Sequence, residues 1–93
     1  MIIPDVNLLL YAHFDAFPLH EPAREWWEAV LTSHDPVGLA PVVAFGFVRI
    51  ATNRRVFELP MQPQRALDTV ESWLGQPNVQ LLTVDGEHVR AAF

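Results

Sequence analysis

The clearest pattern in the chain is a helical stripe over residues 21–31. Ala23, Trp26, Trp27, Val30 and Leu31 recur at i, i+3, i+4, i+7 and i+8, while Arg24, Glu25 and Glu28 take the opposite face. Pro22 falls in the first turn, where its missing N–H costs nothing. A second stripe over 64–74 places Ala66, Leu67, Val70, Trp73 and Leu74 on one side and stops at Gly75. Between them, residues 41–50 open on Pro41 and are apolar nearly all round, which predicts a buried helix. That helix ends in the polar segment Thr52-Asn53-Arg54-Arg55. Near the start, Leu8 to Ala12 reads as a short buried helix.

Three apolar runs read as strands. The first covers residues 1–4, with Pro4 at its end because proline cannot donate a ladder hydrogen bond. The second covers 37–40 and the third 79–84. Asp85 or Gly86 then caps a helix that begins at Glu87. The order β-α-α-β-α-α-β-α predicts a parallel sheet covered by helices, an α/β fold. The final helical pattern is still apolar where the sequence stops at Phe93. The expectation is therefore a single domain over residues 1–93, incomplete at its C-terminus, either a fragment or a chain that completes itself by oligomerising. In that state Ile2 and Ile3 would lie on an open sheet edge.

Composition narrows the picture. The 93 residues are 51% apolar and 18% charged, which suits one globular domain. There is no cysteine, so disulfides and thiolate zinc sites are excluded, and a reducing cytoplasm fits. No basic segment precedes an apolar run at the N-terminus, so no signal peptide is read there. The longest apolar stretch, 39–48, is about ten residues, too short to cross a bilayer. The net charge of −5 argues against a broad basic face gripping nucleic acid. A local cluster is still possible: every basic residue is arginine, and Arg49, Arg54 and Arg55 lie close together. Their forks suit phosphate contacts, although a solvated helix end is the plainer reading.

Other polar residues carry less. His13, His20, His34 and His88 have no metal-ligand spacing and read as surface or loop histidines. Trp26, Trp27 and Trp73 could stack bases, but their helical spacing among apolar neighbours favours packing. Glu21, Glu25 and Glu28, with Arg24, read as a solvated helix face.

The informative constellation is Asp5-Val6-Asn7, directly after the first predicted strand. Ligands of open α/β sheets bind beyond the carboxyl ends of strands, so a carboxylate there is placed to hold a cation. Asn7 can support that carboxylate. The competing reading is structural, with Asp5 or Asn7 capping the helix that follows. Magnesium prefers several oxygen ligands, and one aspartate does not make a site.

Four blocks in order resemble PIN-domain ribonucleases of the VapC toxin type. The first is Met1-Ile2-Ile3-Pro4-Asp5-Val6-Asn7-Leu8-Leu9-Leu10-Tyr11-Ala12. The second is His20-Glu21-Pro22-Ala23-Arg24-Glu25-Trp26. The third is Pro41-Val42-Val43-Ala44-Phe45-Gly46-Phe47-Val48-Arg49-Ile50-Ala51-Thr52-Asn53-Arg54-Arg55-Val56-Phe57. The fourth is Val70-Glu71-Ser72-Trp73-Leu74-Gly75-Gln76-Pro77-Asn78-Val79. The resemblance runs through the whole chain.

The resemblance implies a three-layer α/β fold with a central parallel sheet flanked by helices. It implies a metal-dependent endoribonuclease, the toxin of a VapBC-type pair, whose acidic residues hold Mg²⁺ or Mn²⁺ and activate a water. It also implies a homodimer, an RNA substrate, a cognate VapB-type antitoxin and a cytoplasmic location without membrane attachment. Asp5 matches the first family acid and would be catalytic and metal-binding. Asn7 matches the polar residue that supports it, and Arg49, Arg54 and Arg55 are candidate RNA contacts. The slot of the second acid aligns with Gly46, which cannot ligate, and Asp85 and Glu87 come too early to replace the later acids. The expectation is that the 93-residue polypeptide alone is not an efficient nuclease. The alternative is a catalytically incomplete PIN remnant that binds an antitoxin or dimerises. A more distant reading is a flavodoxin-like or receiver-type α/β domain; a receiver would want an acidic pair at the first strand and a later phosphoacceptor aspartate, and neither is seen.

Overall fold

The computed structural model describes residues 1–82. Among these residues there are four helices and two strands, each strand following a pair of helices: α1 (Val6–His13), α2 (His20–Leu31), β1 (Val37–Leu39), α3 (Pro41–Ala51), α4 (Pro63–Leu74) and β2 (Val79–Leu81). The two strands pair in parallel, Val37 with Val79 and Leu39 with Leu81. On the other side of β1, Ile2 forms a parallel bridge to Val37. Its N–H donates to Pro36 O (2.9 Å) and its carbonyl accepts from Gly38 N–H (2.8 Å). The predicted α/β class and parallel pairing are therefore present.

The first predicted strand is much reduced. Only Ile2 joins the ladder, because Pro4 has no N–H to offer and α1 begins immediately after Asp5. The third strand is described through Leu81. Its predicted continuation, and the helix predicted from Glu87, lie outside the described residues.

The core lies between the helices. Trp73 of α4 is 2% exposed and packs edge-on against Phe47 of α3 (4.9 Å) and Trp27 of α2 (5.7 Å). Leu9, Val37, Leu39, Phe47 and Ala51 are completely buried around it. Phe14 stacks on Phe57 at 3.9 Å, which fastens the end of α1 to the segment after α3. The expected core role holds for Trp27 and Trp73, whereas Trp26 stays partly exposed, stacked on Trp27.

Two expectations fail here. Residues 41–50 were expected to be buried all round. In fact α3 buries Ala44, Phe47 and Ala51, while Val42 and Phe45 are 77% and 75% exposed. No described element packs on that side of the helix. The histidines are not all superficial either. His13 is only partly exposed, its ring 5.3 Å from both Phe47 and Trp73.

Asn78 ties the start of β2 to the turn before β1. Its Nδ2 donates to Val30 O and Asp35 O, both at 2.9 Å, and its carbonyl accepts from Val37 N–H at 2.8 Å. At Gly38, in the middle of β1, an added Cβ would lie 2.7 Å from Met1 Sδ and 3.0 Å from Leu82. The glycine lets those two side chains close over the strand. Removing the Asn78 amide takes the Nδ2 donor from Asp35 O and from Val30 O, which keeps Ser33 as a donor, so Asn78→Ala is expected to cost about 0.5–1.5 kcal/mol, read as a lowered urea midpoint at unchanged slope.

Candidate functional site

Because the paired segments are parallel, their carboxyl ends emerge at one edge of the sheet. Asp5 leaves the Ile2 segment there, and Ala40 leaves β1 into α3 at the same edge. The two following helices meet just beyond it. A Cβ built on Gly46 would lie 3.6 Å from Val6 Cγ2, the side chain next to Asp5. The glycine slot and the candidate acid are therefore neighbours in space, though far apart in sequence.

Asp5 stands at the N-cap position of α1 with extended backbone (φ −81°, ψ 151°), yet its carboxylate makes no capping hydrogen bond. Only its main-chain carbonyl takes part, accepting from Leu9 N–H at 3.3 Å. The side chain is exposed. Asn7 lies within the first turn of α1, is also exposed, and forms no hydrogen bond to Asp5 among the described residues. The cap reading thus gets the position of Asp5 right and its side-chain role wrong.

Arg49 is exposed in the last turn of α3, about one turn beyond Gly46. Arg54 and Arg55 follow in a turn built by Asn53. The Asn53 carbonyl accepts from Val56 and Phe57 N–H (both 3.1 Å), and its Oδ1 accepts from Arg55 N–H at 2.8 Å. Phe57 anchors this turn in the core while both guanidinium groups face solvent. On α2, Arg24 joins Glu21 (2.9 Å) and Glu28 (3.1 Å) across exposed turns, as expected of a solvated face. The hydrogen bond from Arg24, with its charge, lowers the Glu21 carboxyl below its ordinary range.

Among the described residues, no three His, Asp or Glu side chains gather where they could hold a metal ion. Asp5 contributes one exposed carboxylate, and Gly46 contributes none. Asp85 and Glu87 lie outside the described residues. The described part of the chain does not by itself make a divalent-cation centre. The residue that sequence reasoning missed is His13. Its signal was its position three and four residues after Leu10 and Leu9, on the buried face of α1.

Gly46 was expected to permit a close approach. The 3.6 Å separation is ordinary van der Waals contact, so a methyl group fits. Gly46→Ala should therefore stabilise the protein by about 0.4–1 kcal/mol, chiefly by restricting the unfolded chain, seen as a raised melting temperature. Since the Asp5 carboxylate caps nothing, Asp5→Ala should change stability by no more than about 0.5 kcal/mol, against the roughly 1 kcal/mol lost when a bonded N-cap is removed. Chemical denaturation distinguishes the two.

No family model matches the chain, but individual proteins do. Ribonuclease VapC33 of Mycobacterium tuberculosis is 47% identical over 92 residues, covering 99% of this chain and 64% of that protein. Ribonuclease VapC31 of the same organism is 38% identical over 78 residues, 84% of this chain and 55% of that protein. VapC ribonuclease Mb2897 of Mycobacterium bovis is 38% identical over 88 residues, 95% of this chain and 60% of that protein. The chain thus spans between 55% and 64% of the length of these relatives. With this similarity along nearly its whole length, and a parallel α/β fold, the chain belongs to the VapC family of PIN-domain proteins.

Proposed function

We propose that this chain is part of a metal-dependent endoribonuclease, the toxin of a VapBC-type toxin–antitoxin pair acting in the cytoplasm. The observation that carries the reading is the 47% identity to a protein named ribonuclease VapC33 over 99% of the chain. Asp5 supports it, because an exposed carboxylate with no structural bond stands beyond the sheet's carboxyl edge. Mg²⁺, or Mn²⁺ in its place, is the cofactor of this reading. Asp5 supplies one ligand, and Asn7 borders it in the same turn. The ion's contribution would be to activate water and offset charge at the phosphate. The described residues do not complete its shell.

In this reading, Arg49, Arg54 and Arg55 contact RNA phosphates as a local cationic strip on an otherwise acidic protein. Two apolar surfaces support protein partners. A groove of about 230 Å³ between α1 and α2 is lined by Leu8, Tyr11, Leu19, Pro22, Ala23 and Trp26, and it suits an apolar segment of a VapB-type antitoxin. The exposed Val42 and Phe45 of α3 suit a second copy of the chain in a homodimer. No described helix is long and apolar enough to cross a membrane.

The test is RNA cleavage by the full-length protein with Mg²⁺ or Mn²⁺. Asp5→Ala is expected to lower the rate at least about 100-fold, the loss of several kcal/mol of metal-supplied stabilisation, with its melting curve unchanged. Equal cleavage by the variant removes Asp5 from the site. A full-length protein that cuts no RNA with either metal, yet still holds its antitoxin, is instead the catalytically incomplete binding module, which the glycine at position 46 favours.

A further inference from the structure

Among the described residues, His13 is a titratable side chain built into the junction of three helices. It ends α1, and its ring sits 5.3 Å from Phe47 of α3 and 5.3 Å from Trp73 of α4. Its Nδ1–H donates to Leu9 O at 2.7 Å, which sets the tautomer of the neutral ring and leaves Nε2 as the nitrogen that takes up a proton. Nearby, His20 Nδ1–H donates to Tyr11 O at 2.8 Å and ties the start of α2 to the end of α1. Two clefts flank His13. One, of about 480 Å³, lies towards Phe14, Met61, Gln62 and Arg65. The other, of about 360 Å³, lies towards His20, Arg24, Glu28, Ser72 and Trp73.

We propose that His13 is an acid-sensitive latch: its protonation opens the seam between α1 and α4. The surroundings offset a new cation only in part: the last turn of α1 and the Leu9 carbonyl favour it, but the charged side chains that face it are mostly basic. From α2 it faces His20, Arg24 and Glu28. From α4 it faces Arg65, and from α3 only the Phe47 ring. The segment 59–62 contributes no charge. Glu28 is the only carboxylate lining either cleft among the described residues, and Arg24 already engages it. Burial therefore lowers the His13 pKa below the ordinary histidine value, His20 and Arg65 add to the lowering, and the bond to Leu9 opposes it. The route of relief is separation of α4, which removes Arg65 and Trp73 together and admits water from both clefts.

The sign follows. The unfolded chain takes up this proton near pH 6.5, and the folded chain only at lower pH. Stability from the neutral ring is complete above about pH 6.5 and is lost as pH falls through the folded-state value. Across that window the folding equilibrium weakens by about tenfold per pH unit.

The experiment follows the full-length protein from pH 7.5 to 4.5, in steps, by NMR titration of the histidines and amide exchange of α4. His13 should titrate below the ordinary value, and the α4 amides should lose protection with the same midpoint. His13→Gln, neutral throughout, should abolish this step, and His20→Gln should keep it. The latch is overturned if His13 titrates at or above the ordinary value, if α4 protection does not follow it, or if His13→Gln keeps the step. Should His13→Gln fail to fold, the wild-type titration decides alone. None of these readouts depends on nuclease activity, so the proposal and the functional reading fail separately.

Discussion

Everything at the candidate site depends on β1 being hydrogen-bonded on both sides. Val37 N–H points to Asn78 on one flank, and Gly38 N–H points to Ile2 on the other. Leu39 O continues the β2 side by accepting from Leu82 N–H. A strand buried at every residue and paired in parallel on both edges leaves its neighbours little freedom of register. It sets where the Ile2 segment ends, and so where Asp5 emerges relative to the start of α3. The pairing is short, but the apolar residues beneath it hold it in place. Val37 and Leu39 are fully buried, and the helices that cover them close on Trp73 and Phe47.

That arrangement also explains how two distant segments form one locality. α1 follows the first paired segment and α3 follows β1. Two helices leaving one sheet edge from adjacent strands pack side by side, and the meeting of Val6 with Gly46 is the result. The contact has room for a methyl group, so packing does not demand a glycine there. The absence of an acid at this slot is a difference in chemistry, not a consequence of crowding. It separates two questions that the family likeness would otherwise merge: where a cation would sit, and whether this chain supplies enough ligands for it.

The helices were readable in the sequence, because amphipathic periodicity reports a buried face directly. The stripes at Ala23-Trp27-Val30 and Ala66-Val70-Trp73 match the buried faces of α2 and α4. What failed was information carried by partners. An apolar run does not say where pairing stops, so the strand at residues 1–4 was read as longer than the single bridge at Ile2. A helix apolar all round does not say which side finds a neighbour, so Val42 and Phe45 were expected inside. His13 looked superficial because its burial is created by rings from two other helices. At the site, the position of Asp5 was legible from the motif. Its lack of a capping bond was not, since the same residue at the same position usually makes one.

That missing bond bears on what Asp5 is for. A bonded N-cap aspartate satisfies an orphan N–H of the first helical turn and stabilises the helix by roughly 1 kcal/mol. Here the carboxylate forgoes that gain and stays exposed. The helix does not need it, because α1 is held by Leu9, Leu10 and Ala12 in the core and by the His20 bond at its far end. A carboxylate engaged as a cap would have its lone pairs committed and its basicity lowered, which would compete with a cation for the same oxygens. An unengaged one at a sheet's carboxyl edge keeps them available. A capping hydrogen bond therefore gives no account of an aspartate at position 5, and the proposed metal site would draw on the oxygens left free.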